Sequence, residues 1–400
     1  MVINLKKNPY GKYNGNEMAY VLQALDLNNK EEISWIQRFE EEFCRVMGVK
    51  YAIACNSGTS GLHAALIGAG VGHGDEVISP ALTVVMDAFA TIHVGATPVF
   101  ADVDTDTMNI DPDDVKRKIT SKTKAIITVS LQGLPVDIDQ IMELAKKHNL
   151  IVIEDSAQTI LGLYKGRMAG TLGHLGVFSF ENKKHMTCGS EGGMIVSNNE
   201  NLAKMVRKFA GIGYKHMTAE AGRTSLAMST VQDPAYERFD TVGLNYRMTE
   251  VSAAIGLAQF ERIKELVSRR QAVAKLFDEA VEGCGWIVKQ KVPEGYVNSY
   301  YTYAVKYYGE EIFGVSWKDF YNRYKDNGGD GFYGACMVPY LEPVFSGLKI
   351  NGVTHKKGLC PVAEEIQPKI MQFKTNYRSL DIAKQKAGIL KKLIDSFGKQ

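Results

Sequence analysis

The sequence predicts an α/β fold, with a large domain built on a mostly parallel sheet flanked by helices and a smaller α+β domain at the C-terminus. Three observations predict it. Between residues 50 and 200, short apolar runs alternate with helical stretches, which is typical of a parallel sheet with helices on both faces. A chain of 400 residues exceeds one simple core and suits two or three domains. Beyond residue 285, strand-like and helical runs are mixed.

The apolar runs give the elements in order. In the large domain we predict helices at 58–70 and 137–150, and strands at 51–55, 76–80, 97–103, 124–131, 150–155, 176–180 and 192–198. The helical segment 251–283 fits one long helix or two, so we place the boundary there, with residues 1–260, including the N-terminal segment, in the large domain and 261–400 in the small one. The small domain is expected to hold a strand at 300–308 and helices at 317–327 and 379–397.

Composition excludes several classes of function. The formal net charge is +2, from 47 basic and 45 acidic residues, which argues against a nucleic-acid partner. No apolar run reaches the roughly 18 residues of a membrane span, and the N-terminus lacks the apolar core of a signal peptide. The six cysteines have no metal-ligand spacing, so we expect core thiols in a reducing cytoplasm and no metal site.

Three segments at predicted strand ends carry candidate chemistry, and in an open α/β sheet such ends meet at one edge. The turn Asn56–Gly61 leads from a strand into a helix, where free amides can bind phosphate. An ordinary N-cap turn is the alternative. Asp155 ends a very apolar strand, and burying it is costly without a cation such as a protonated ring nitrogen. A helix cap or a structural salt bridge is the alternative.

The third segment runs from Ser179 to Gly193. A strand ends at Ser179, Lys184 follows five residues later, and a glycine-rich turn leads into the next strand. A lysine in a partly desolvated site loses proton affinity and becomes an amine nucleophile. The alternative is a surface pair formed by Lys183 and Lys184.

The order and spacing of these segments resemble the DegT/DnrJ/StrS family of sugar and cyclitol aminotransferases, which use pyridoxal 5'-phosphate (PLP) and have aminotransferase fold type I. The resemblance covers most of the chain, since residues 74–112, 243–259 and 360–365 also match family segments. It implies that Lys184 forms the Schiff base, that Asp155 keeps the pyridine nitrogen protonated, and that Gln158 lies near the phenolic oxygen.

The resemblance also implies the phosphate site and the assembly. Thr59, the amide of Ser60, and Ser179 are expected to bind the phosphate. Asn245 is expected to reach the phosphate of the neighbouring subunit, so the active site lies at the interface of a homodimer. Val84 occupies the position where the family usually has an aromatic residue stacked on the ring; an aliphatic group covers the ring with weaker stacking.

The glycine turn contains one residue more than the family pattern. Counting forward from Ser179 places Lys184 at the catalytic position, whereas counting back from Gly193 places His185 there. A histidine at that position marks the related PLP sugar 3-dehydratases. We place the extra residue after Gly189, which favours Lys184 and transamination.

We therefore expect glutamate to convert the cofactor to pyridoxamine phosphate, which then aminates a keto sugar in bacterial surface-polysaccharide or lipopolysaccharide synthesis. The turn, Val84 and the segment 373–377 resemble the branch that aminates 8-oxo-3-deoxy-octulosonate. Alternative acceptors are a nucleotide-linked 4-keto or 3-keto hexose and a cyclitol, and an alternative reaction is the 3-dehydratase reaction. A non-catalytic PLP-fold regulator is a further alternative. Such regulators usually carry an added DNA-binding domain, for which 400 residues leave no room. Candidate cations for an acidic sugar, by position only, are Lys215, His216, Arg223 and Arg378; a solvated surface position is the favoured alternative for each.

Overall fold

A computed structural model describes residues 12–26, 34–220, 226–348, 350 and 355–398. Its large sheet has seven strands in the order β1-β9-β8-β5-β4-β2-β3. Strand β9 runs antiparallel to β1 and β8, and the remaining neighbours pair in parallel, which confirms the mostly parallel sheet. The large-domain strands are β1 (Tyr51–Cys55), β2 (Glu76–Pro80), β3 (Thr97–Ala101), β4 (Thr123–Val129), β5 (Ile151–Asp155), β6 (Leu163–Tyr164), β7 (Arg167–Met168), β8 (Leu175–Ser179) and β9 (Gly193–Ser197).

Helices cover both faces of this sheet because alternate strand residues point to opposite sides. In β1, Ile53 packs into the cluster that contains α3, α4 and α7, whereas Ala52 and Ala54 pack against α2 and α9. The helices here are α1 (Glu17–Ala24), α2 (Trp35–Met47), α3 (Gly58–Gly68), α4 (Met86–His93), α5 (Pro112–Lys118), α6 (Ile138–His148), α7 (Glu200–Ala210), α8 (Met228–Gln232) and α9 (Glu250–Phe260).

The C-terminal part has the expected α+β composition. An antiparallel sheet has the order β10-β12-β14-β13, and β11 joins the small sheet of β6 and β7. Helices α10, α12 and α14 pack on the antiparallel sheet in one apolar cluster. The elements are α10 (Ile263–Val281), β10 (Ile287–Lys289), β11 (Tyr296–Val297), β12 (Thr302–Tyr307), α11 (Gly309–Phe313), α12 (Trp317–Asp326), β13 (Tyr333–Gly334), α13 (Pro361–Ile366), β14 (Ile370–Lys374) and α14 (Leu380–Ser396).

The main departures from the predicted elements lie at their ends. The helical segment 251–283 forms two helices, since α9 ends at Phe260 and α10 begins at Ile263. The predicted strand 124–131 ends at Val129, and Leu131–Gly133 forms a 3-10 turn. The division of the chain at 260/261 falls at the break between α9 and α10 and stays a prediction. Within the described ranges, no helix is both long and apolar enough to cross a membrane.

A buried ion pair ties three elements of the large domain together. Glu40 on α2 is 2% exposed, and its carboxylate accepts bonds of 2.9 and 3.1 Å from Arg207 on α7. The same carboxylate accepts the amide of Ala54 on β1 at 2.7 Å, and Arg207 also donates to the carbonyl of Ala52. Removing Glu40 therefore leaves a largely buried guanidinium and a buried amide without this partner.

We expect Glu40→Ala to lower the free energy of unfolding by about 3 kcal/mol or more, the usual cost of breaking a buried pair. Urea unfolding followed by circular dichroism measures it. Glu42→Ala is the matched control, because Glu42 lies on the same helix and pairs with the exposed Arg45; it should change stability little. A loss for Glu40→Ala no larger than that of Glu42→Ala would contradict the role of this pair.

Candidate active site

A cavity of about 700 Å³ opens at the carboxyl edge of the large sheet. Residues that follow β2, β4, β5 and β8 line it on one side, which is where ligands bind in open α/β sheets. Residues of α10 and of the C-terminal antiparallel sheet line it on the other. The lining includes Thr83, Val84, Gln132, Gln158, Lys183, Lys184, Arg270, Tyr301, Asp330, Tyr333, Cys336, Lys374 and Arg378.

Lys184 lies in this cavity with its Nζ 4.5 Å from the centre of the Tyr301 ring. Its amide donates to the carbonyl of Glu181 at 2.9 Å, and its own carbonyl accepts a 2.8 Å bond from Arg270. Burial lowers the pKa of Lys184, and the charge of Asp155 partly opposes this shift. Lys184 therefore meets the physical requirement for an amine nucleophile, a lowered proton affinity in a fixed position.

Arg270 holds the lysine loop from α10. It is 5% exposed, and it donates to the carbonyls of Lys183 (3.1 Å), Lys184 (2.8 Å) and Tyr301 (2.9 Å) and to the hydroxyl of Thr375 (3.0 Å). Burial lowers the pKa of Arg270 to about 10. Its positive charge also contributes to the lowered pKa of Lys184.

His185 faces away from the cavity. It is 6% exposed, its Nε2 lies 3.0 Å from the carbonyl oxygen of Ser299, and burial lowers its pKa well below the ordinary value. The extra residue of the glycine turn lies where Gly189 has φ +93° and Ser190 is exposed. This geometry supports Lys184 rather than His185 at the catalytic position.

Two neighbouring carboxylates at the end of β5 have different environments. Glu154 accepts the amides of Gly170, Leu172 and Gly173 at 2.6–2.8 Å and so holds the loop between β7 and β8. Asp155 is 3% exposed and accepts the amide of Ala157 at 2.8 Å. Burial raises the pKa of Asp155, and the Ala157 amide and the charge of Lys184 oppose that shift. A cationic ring nitrogen would offset the cost of this buried charge.

The start of α3 carries residues predicted to bind phosphate. The amide of Ser60, one of them, donates to the hydroxyl of Ser57 at 3.1 Å, because the two serines form a capping box. Among the described residues, the amides of Gly58 and Thr59 have no hydrogen-bond acceptor, and Thr59 is exposed. Ser179 lies directly beside this turn, since a Cβ on Gly58 would come within 2.8 Å of its Cβ.

The remaining predicted residues divide between the cavity and the surface. Gln158 lines the cavity, and its Oε1 accepts the amide of Gln132 at 2.8 Å, while its NH₂ group has no acceptor in the part of the chain that the structure describes. Val84 also lines the cavity. Asn245 is exposed, pairs with Gly211 in an isolated bridge, and is not among the residues that line the cavity.

One of the four candidate cations lies at the cavity, and several other lining residues were not predicted from the sequence. Arg378 lines the cavity, whereas Lys215 and His216 are not among its lining residues, and Arg223 lies outside the described residues. Among the six free cysteines, Cys336 is an exposed residue of this cavity and not a core thiol. The residues not predicted from the sequence are Thr83, Arg270, Tyr301 and Lys374 of the cavity lining and the fully buried Asp87. For Lys374 the available signal was its place in the segment 373–377, which resembles one branch of the family; the others give no motif.

The mostly parallel sheet, with a lysine and a buried aspartate at its carboxyl edge, has the architecture of aminotransferase fold type I. The chain belongs to the DegT/DnrJ/EryC1/StrS aminotransferase family, whose model matches residues 12–373, and it is an aminotransferase. A GDP-perosamine synthase of Caulobacter vibrioides is 41% identical over 276 residues, which are 68% of this chain and 69% of that protein.

Two further comparisons agree with this assignment. A GDP-perosamine synthase of Escherichia coli O157:H7 is 39% identical over 279 residues, which are 69% of this chain and 71% of that protein. The X-ray structure of an aminotransferase from Psychrobacter cryohalolentis superposes with a TM-score of 0.84 at 32% identity, over 95% of this chain and 96% of that one.

Arg270→Gln should raise the pKa of Lys184, because it removes a buried positive charge beside the amine. Labelling of Lys184 by an amine-reactive reagent, followed by mass spectrometry of the cofactor-free protein across a pH series, measures it. The labelling midpoint should move up toward the ordinary lysine value of about 10.4.

Arg269→Gln is the matched control for this prediction. Arg269 is the neighbouring residue of α10, but it pairs with Glu265 at the surface, at 2.8 Å. Its removal should leave the labelling midpoint of Lys184 in place. A midpoint that stays or falls in Arg270→Gln would contradict the electrostatic role of Arg270.

Proposed function

We propose that this protein is a PLP-dependent aminotransferase that transfers the amino group of glutamate to a keto hexose carried on a nucleoside diphosphate. The observation that carries the proposal is a cationic cavity that holds Lys184 close to the buried Asp155, in a chain about 40% identical to two GDP-perosamine synthases. These relatives support a nucleotide-linked sugar as the acceptor.

The residues at the cavity fit PLP. Asp155 would hold the pyridine nitrogen, and the free NH₂ group of Gln158 would face the phenolic oxygen. Thr59, Ser179 and the amides of Gly58 and Thr59 would hold the phosphate at the start of α3, where the helix dipole favours an anion. Val84 would cover one face of the ring. When bound, PLP supplies an electron-accepting ring and a carbonyl carbon that carries the amino group.

The protein's own residues have separate tasks in this proposal. Lys184 would be the nucleophile, and its free Nζ would be the base that moves the proton of the donor's α-carbon. Asp155 would keep its negative charge as the partner of the ring nitrogen. Arg270 fixes the backbone of Lys184, and Tyr301 closes the cavity beside Nζ.

The charge of the cavity supports an anionic acceptor. Lys183, Lys374 and Arg378 line its mouth, and Asp330 neutralises only part of this charge by pairing with Lys374 at 2.5 Å. A nucleoside diphosphate is a strong anion for which arginine and lysine are suitable partners. The expectation of 8-oxo-3-deoxy-octulosonate as the acceptor is not supported by the relatives, which are GDP-perosamine synthases, and we withdraw it.

The dehydratase, regulator and cyclitol functions have less support. His185 bonds to the carbonyl of Ser299 and does not line the cavity, which weighs against the 3-dehydratase reaction. The aminotransferase family and the GDP-sugar relatives favour an enzyme over a regulator and a nucleotide sugar over a cyclitol. Glutamate as donor, the place in lipopolysaccharide synthesis and the cytoplasmic location stay predictions.

We further propose a homodimer in which Asn245 completes the phosphate site of the partner subunit. The exposed Asn245 is preceded by apolar side chains, with Phe239 55% exposed, Val242 95% exposed and Leu244 43% exposed. Exposed apolar groups so close together favour a surface covered by another chain. A second copy of the chain would cover these apolar side chains and would bring its phosphate site within reach of Asn245.

Lys184→Ala should lower turnover by at least about 10²-fold, because it removes both the nucleophile and the proton carrier. The assay uses PLP-loaded protein, glutamate and a GDP-linked 4-keto hexose, with the amino sugar detected by mass spectrometry. His185→Asn, the adjacent control, should keep most of the activity. Loss in His185→Asn together with near-normal turnover in Lys184→Ala would overturn the assignment.

Arg378→Ala should raise the KM for the nucleotide sugar about tenfold, the effect of losing one charged hydrogen bond. The reaction with glutamate alone should keep its rate, because the donor carries no diphosphate. Lys215→Ala is the matched control, since Lys215 is a surface cation that is not among the cavity's lining residues. An equal rise in both variants, or in neither, would contradict a specific diphosphate contact.

A further inference from the structure

A second buried carboxyl group lies against Asp155. Asp87, in the first turn of α4, is 0% exposed, and its side chain is in hydrogen-bonding contact with that of Asp155. Its Oδ2 accepts the hydroxyl of Thr83 at 3.1 Å. Its Oδ1 is buried and has no donor within the part of the chain that the structure describes. If both carboxylates were ionised, neither could donate a hydrogen bond to the other. The buried Oδ1 of Asp87 would then be left without a donor.

Two buried carboxyl groups in contact cannot both ionise at ordinary pH, so one keeps a proton. The surroundings decide which one. Asp155 accepts the amide of Ala157 and lies near the cationic Lys184, and both favour its charged form. Asp87 accepts one hydrogen bond, from the hydroxyl of Thr83, within the described part of the chain. Burial, together with the charge of Asp155, raises the pKa of Asp87 well above the ordinary value.

We propose that Asp87 is a protonated positioning residue that donates a hydrogen bond to Asp155, so that the pair presents one negative charge to the ring nitrogen of the cofactor. This inference rests on the proposed PLP function and adds a residue to it. A proton on Oδ1 also explains why that buried atom has no donor, since it would then be the donor itself.

The hydrogen bond has a direct chemical consequence for the site. A donor to the charged form of Asp155 stabilises that form and makes Asp155 a weaker base. The proton therefore stays on the ring nitrogen, where it is needed for electron withdrawal. Without the donor, Asp155 becomes more basic and takes that proton. The charged and polar groups that face the pair are Thr83 before α4, the Ala157 amide after β5, and Lys184 after β8.

The first test uses the cofactor-free protein and does not depend on the proposed activity. A protonated carboxylic acid has its own C=O stretching band in the infrared spectrum, and this band shifts in D₂O. We expect a difference spectrum between the wild type and Asp87→Asn to show one such band at neutral pH, lost in the variant. Absence of the band from that difference spectrum would overturn the proposal, even if the protein proved to bind no PLP.

The second test uses the PLP-loaded protein and a matched pair of substitutions. Asp87→Asn keeps a donor for Asp155, whereas Asp87→Leu has a similarly branched side chain without a donor. A ring with an unprotonated nitrogen withdraws electrons less. The absorption of the bound cofactor changes with pH, and the midpoint of this change should then lie at a higher pH. We expect Asp87→Leu to raise that midpoint by about one unit, with Asp87→Asn close to the wild type.

The opposite result for Asp87→Asn separates the proposal from its competitor. If Asp87 were ionised, the amide would remove a negative charge beside the ring nitrogen, and the midpoint would fall by about one unit. That fall would overturn the proposal whether or not Asp87→Leu folds. Failure to bind PLP in every variant would count against the proposed function, while the infrared result would still decide the state of Asp87.

Discussion

The carboxylate of Asp155 lies at the end of β5, and the residue is 3% exposed. Burying its charge costs free energy, and the groups around it are arranged to offset that cost. The amide of Ala157 and the charge of Lys184 offset part of it, and the proposed proton on Asp87 prevents a second buried charge. A cationic ring nitrogen would supply the rest. The parallel strands make this possible, because β2, β5 and β8 deliver Thr83, Asp155 and Lys184 to one edge.

The two parts of the chain contribute different surfaces to one cavity. The large sheet provides the side that would hold the cofactor, with Val84, Gln158 and Lys184 after three of its strands. The C-terminal part provides Lys374 and Arg378, the cations proposed to bind the acceptor. Arg270 of α10 connects the two, since it bonds to the lysine loop and to the segments before β12 and after β14.

The strands and the lysine segment were predictable because apolar runs and their spacing are local features of the sequence. Lys184 and His185 could not be separated by counting; the direction of each side chain, one toward the cavity and one toward Ser299, separates them. Asp87 and Arg270 give no motif, because their partners lie at sequence positions 68 and 86 residues away (155 − 87 and 270 − 184). The capping box that engages the Ser60 amide with Ser57 was not predicted, and the role of this amide in phosphate binding stays a prediction.

In the proposed function, Lys184 and Asp155 together bind PLP for transamination. The most direct test is the absorption spectrum of the purified, PLP-loaded protein before and after glutamate, with 2-oxoglutarate measured in the same sample. We predict loss of the yellow cofactor band, gain of the pyridoxamine phosphate band, and release of one 2-oxoglutarate for each cofactor converted. A protein that takes up no PLP on reconstitution would contradict this claim.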